Sequence, residues 1–90
     1  MLASLVMKRL ELLKQLAEVE RQVLDDTELI ERQRKILDEL DGKGVDTDAL
    51  QVMLTGLEQL LIFHLQQRES LRTELATLEE PSQGPQSSDR

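Results

Sequence analysis

The sequence predicts an all-α fold: an antiparallel two-helix hairpin with coiled-coil-like packing that dimerises into a four-helix bundle. Three observations carry that expectation. Leu, Glu, Gln, Arg and Lys dominate the 90 residues, and Phe63 is the single aromatic; this is the composition of long helices, and a sheet would need more β-branched and aromatic side chains. Apolar residues recur at alternating steps of three and four through two long stretches. A single Gly/Asp break, Asp41-Gly42-Lys43-Gly44, separates those stretches.

The first stretch reads Leu2, Leu5, Arg9, Leu12, Leu16, Val19, Val23, Asp26, Ile30, Gln33, Leu37 and Leu40. No Pro or Gly interrupts it, so one helix over about 2–41 is expected, roughly 60 Å long. Glycine closes a helix C-terminus because it reaches the left-handed conformation at little cost, which places the loop at 42–46. Asp46 then reads as the N-cap of the second helix, with Thr47 as the one-residue alternative. Asp48 falls in the electropositive first turn, and Val45 is spaced to staple onto Leu50. The second helix, about 47–80, carries the seam Leu50, Leu54, Leu57, Leu61, His64, Arg68, Leu71, Leu75 and Leu78. Pro81 ends it, and residues 81–90 have nothing apolar to bury, so a disordered tail is expected. The hairpin domain thus spans 1–80.

Composition also excludes function classes. The net charge of −7 and the interleaving of Lys8, Arg9 and Lys14 with Glu11, Glu18 and Glu20 argue against phosphate-backbone binding, so nucleic acid is not an expected partner. The apolar run at Met1 to Met7 lacks a basic start and is cut by Lys8 and Arg9, unlike a secretory signal. Leu50 to Leu65 is too short and too polar to span a bilayer. No membrane association is expected, and with no cysteine the reading is a cytoplasmic protein without disulfides.

Folding the chain back at the glycines pairs positions whose numbers add to roughly 87 to 94, within one helical turn. The polar breaks of the two seams then fall together: Asp26 and Gln33 on the first helix, His64 and Arg68 on the second. A carboxylate, an imidazole and a guanidinium in one stretch of interface can satisfy one another. The plainest role for such a layer is to fix helix register; a pH-sensitive contact at His64 is the alternative. Neither a metal nor another cofactor is expected, because carboxylate-bridged bundles need Glu-x-x-His on two helices and Leu61 stands three residues before the single His64. Without Cys, a phosphate loop, Gly-x-Ser-x-Gly or a second base for His64, the chain does not read as an enzyme.

Beside the second seam lies a further apolar stripe of Met53, Gly56, Leu60 and Phe63, widened by Val52 and Ile62. The first helix has a matching excess at Val6, Met7, Leu10, Leu13 and Ala17. Surface of this extent points to contact with another chain, so Met53, Gly56, Leu60, Ile62 and Phe63 are the expected dimer or partner interface.

The stretch Ile30 to Ile36 with Gln33 and Arg34, the turn Gly44 to Ala49 with Asp46 and Thr47, and Leu54 to His64 followed by Arg68 and Leu71 resemble a group of short alphaproteobacterial helical-hairpin proteins of uncharacterised function. The likeness covers the central two thirds of the chain; Val45 and Leu57 depart from it, where the group often has His and Phe. It implies the hairpin and attaches no activity, cofactor or partner. The expected function is a small cytoplasmic protein–protein interaction module, an adaptor or regulator working as a helical-hairpin homodimer. An accessory chaperone of a secretion or assembly system and an RNA-binding regulator are the competing readings.

Overall fold

The computed structural model describes residues 2–78, which form two α-helices, α1 (Leu2–Gly42) and α2 (Asp48–Leu78), with no strand among them. The expected end of the second helix near residue 80, and the tail 81–90, lie outside the described residues. The two helices run antiparallel, with cross-helix partners whose numbers add to 90 or 92: Asp26 with His64, Arg34 with Glu58, and Glu20 with Arg72.

Both turns of the chain have identifiable causes. At the end of α1, Gly44 takes φ +74°, its amide donates to the Asp41 carbonyl, and the Val45 amide donates to the Leu40 carbonyl, each at 3.1 Å. This six-to-one and five-to-two pair is a Schellman closure, with Gly44 in the left-handed position that a side chain would strain. Gly42 remains helical. The start of α2 differs by one residue from the leading expectation. The Thr47 carbonyl accepts the first helical bond, from the Gln51 amide at 2.9 Å, so Thr47 rather than Asp46 is the N-cap. Asp46 Oδ1 instead accepts from the Asp48 amide at 3.0 Å, and Gln51 Nε2 donates to Thr47 Oγ1 at 2.8 Å. Val45 is committed to the Schellman bond and stays about half exposed, because the staple with Leu50 needs the cap at 46.

The seams interlock as a single narrow core. Leu12, Val19, Ile30, Leu54 and Leu75 are buried; Leu16, Val23, Leu37 and Leu40 on α1 and Leu50, Leu57, Leu61 and Leu71 on α2 are half-buried. Among the described residues no large side chain is completely buried, the physical limit of two helices that can cover one face each. The seam also fails at one end. Leu2 and Leu5 are exposed, because the cross-helix register sets Leu78, the last described residue of α2, beside the level of Leu12 to Lys14. About ten residues of α1, roughly 15 Å, continue past it.

Candidate interaction surfaces and the polar layer of the helix interface

The three-and-four spacing that buries leucines also delivers Asp26 and His64 to the seam, and the antiparallel register sets them opposite each other. His64 Nδ1 lies 2.5 Å from Asp26 Oδ2, with both side chains about 11 % exposed. A carboxylate has no proton to give, so Nδ1 is the donor. The imidazole ring also tilts against Phe63, with centroids 5.7 Å apart and planes at 56°. Arg68, one turn beyond His64, is half-buried, and its Nε is shielded from water with no hydrogen-bond partner. Gln33 is half-buried two turns from Asp26 toward the loop. Of the four residues expected to form one polar layer, the structure joins Asp26 with His64 and leaves Gln33 and Arg68 at separate levels, because seven residues along a helix is two full turns.

Two contacts were not anticipated from the sequence. Arg34 pairs with Glu58, and Arg72 pairs with Glu20 at 3.2 Å, across the helices. The signal was available in the numbering, since both pairs satisfy the same total that brings Asp26 to His64. Among the described residues no cluster of three His, Cys, Asp or Glu could hold a metal, and the Asp26–His64 pair has no nucleophile beside it to activate. What the geometry can do is fix register: sliding α2 by one turn would strand a carboxylate and an imidazole among leucines.

The apolar residues expected to contact another chain are all on the outside. Met53, Leu60, Ile62 and Phe63 are 42 to 54 % exposed, and a Cβ at Gly56 would meet nothing within 4 Å. They do not form one patch. Met53, Gly56, Leu60 and Phe63 each precede a seam residue by one position, whereas Ile62 follows Leu61, and a step of about 100° per residue sends it to the opposite flank of α2. Phe63 overlooks a shallow groove whose far wall is Gln15, Glu18 and Gln22 of α1, with Gln67 and Ser70 on its own side. On α1, Val6, Met7, Leu10 and Leu13 are also exposed. No helix among the described residues is long and apolar enough to cross a membrane.

Comparison of the chain finds no matching family model, no matching curated protein and no matching solved structure.

Proposed function

We propose that the chain is a small cytoplasmic protein–protein interaction module, an adaptor or regulator that works as a homodimer of hairpins. The observation that carries this reading is the apolar surface on a fold without a closed core. Met53, Leu60 and Phe63 on one flank and Val6, Leu10 and Leu13 on the other stand 38 to 65 % exposed, a surface of the kind that marks contact with another chain. Gly56 strengthens it. A glycine inside an exposed helix costs about 1 kcal/mol relative to alanine, and the open space over it leaves room for a helix or a bulky side chain from elsewhere.

The resting state is tested by sedimentation equilibrium from low to high micromolar concentration, with the thermal midpoint followed over the same range. The expected result is twice the chain mass and a midpoint that rises with concentration, as for a dimer coupled to folding. Leu10→Glu or Leu60→Glu, one on each flank, should return the protein to the monomer mass. A wild-type protein that remains monomeric throughout overturns the reading.

A further inference from the structure

The stretch of α1 that outruns α2 is not a polar extension. Leu2, Leu5, Val6, Met7 and Leu10 are 51 to 77 % exposed. They fall in two rows. Leu2 and Leu5 continue the hairpin seam beyond the last described residue of α2. Ala3, Val6, Leu10, Leu13 and Ala17 run one position later, turned by about 100°. The first row lacks a neighbour in the column that α2 fills further along; the second lacks a neighbour against α1 itself. Residues 79–90 contain no Ala, Val, Leu, Ile, Met or Phe, so the rest of the chain has no side chain suited to covering either row.

We infer that both rows are covered by a second copy of this chain, docked antiparallel so that α1 pairs with α1 over residues 3–20. The inference rests on the homodimeric reading above and names the surface that makes the dimer. Positions whose numbers add to about 23 then meet, setting Leu10 against the partner's Leu13 and Val6 against the partner's Ala17. The same axis brings the end of α2 in one copy, level with Leu12, next to the end of α2 in the other. The two α2 helices follow one another in one column, and each overhang lies against both helices of the opposite hairpin. Every cross-section through the overlap then holds three helices instead of two.

The antiparallel arrangement is favoured over the parallel one for a specific reason. In parallel, both copies lack α2 at the same level, so Leu2 and Leu5 stay wet, and Glu20 faces its own duplicate. The area is also adequate. Leu2, Leu5, Val6, Met7, Leu10 and Leu13 from each copy, at roughly 60 to 120 Å² apiece, give about 1,000 Å², the size at which a specific interface becomes credible. The row Met53, Gly56, Leu60 and Phe63 is left open, because it lies on the other side of the hairpin. It adjoins Glu18, whereas the Val6 and Leu10 row runs on to Glu20, which binds Arg72 on the opposite flank of α2.

The chain has no cysteine, so single-cysteine variants report register directly. Leu10→Cys and Leu13→Cys, carrying different tags, are mixed and oxidised. The expected result is a mixed disulfide in at least fivefold excess over either like-with-like product, with no such excess for Leu10→Cys mixed with Met53→Cys. In parallel, Leu10→Glu should sediment as a helical monomer and Leu60→Glu as a dimer. Absence of the Leu10–Leu13 excess, or a Leu10→Glu protein that remains dimeric while Leu60→Glu becomes monomeric, overturns this inference and leaves the interaction-module reading standing with the α2 row as its dimer contact. A monomeric wild type overturns both.

Discussion

Asp26 and His64 meet across the hairpin at 2.5 Å, 38 positions apart in sequence, inside a seam otherwise built of leucine, valine and isoleucine. The energetic asymmetry of such a pair decides how it should be tested. Removing one partner strands the other in a place water barely reaches, while removing both leaves an apolar layer. Asp26→Ala and His64→Ala are each expected to lower stability by about 2 kcal/mol. Asp26→Leu with His64→Leu should come within about 1 kcal/mol of wild type or exceed it, as replacing a buried pair often does. Urea denaturation of the four proteins measures the coupling, and additive losses would show that the contact is incidental.

The two loop glycines should respond to alanine with opposite signs. Gly44 sits at φ +74°, where a side chain clashes, so Gly44→Ala should cost about 1 to 2 kcal/mol. Gly42 is helical with nothing within 4 Å of an added Cβ, so Gly42→Ala should gain roughly 0.5 to 1 kcal/mol. Thermal midpoints of the two variants at one concentration settle the matter, and equal effects would contradict the assigned turn.

Gly56→Ala separates an idle surface from a used one. With open space over it, the substitution should stabilise the isolated hairpin by about 0.5 to 1 kcal/mol through helix propensity alone. If a partner helix approaches there, the same change should weaken that partner's binding. Stability of the free protein and affinity for any isolated client are therefore expected to move in opposite directions.

The cross-helix ion pairs should matter little. Arg34 and Glu58 have side chains 59 and 39 % exposed, Arg72 and Glu20 49 and 45 %. Exposed pairs are worth about 0 to 1 kcal/mol and are screened by salt. Arg34→Ala and Arg72→Ala should each change stability by less than about 1 kcal/mol, with the difference shrinking in 0.5 M salt. A loss of several kcal/mol from either would mean the guanidinium has a structural role beyond charge.

The parts of this fold that sequence reading captured are those governed by period. Alternating steps of three and four found both seams, and the step from Leu61 to His64 placed a histidine in the interface before any coordinates did. The total of paired residue numbers followed from the loop position alone. What escaped were details that depend on one residue of offset. Asp46 and Thr47 are both good caps by type, and only the hydrogen bond from the Gln51 amide to the Thr47 carbonyl distinguishes them. Ile62 looked like part of the Leu60 and Phe63 stripe because it is adjacent in sequence, although adjacency on a helix means separation around its axis. Leu2 and Leu5 fit the seam by spacing, yet spacing says nothing of where the opposite helix ends.

The Schellman turn at Gly44 also governs the order in which the molecule assembles. It brings α1 and α2 together across five residues, so contacts beside it close the shortest loops and carry the smallest entropic penalty, while a contact such as Asp26 with His64 must close a far longer one. Folding should therefore begin at the turn and zip toward the open end. Substitutions at Gly44 or Thr47 should act mainly on the folding rate, and Leu12→Ala or Leu75→Ala, at the far end, mainly on the unfolding rate. A hairpin built this way frays from its open end, the end where α1 extends past α2.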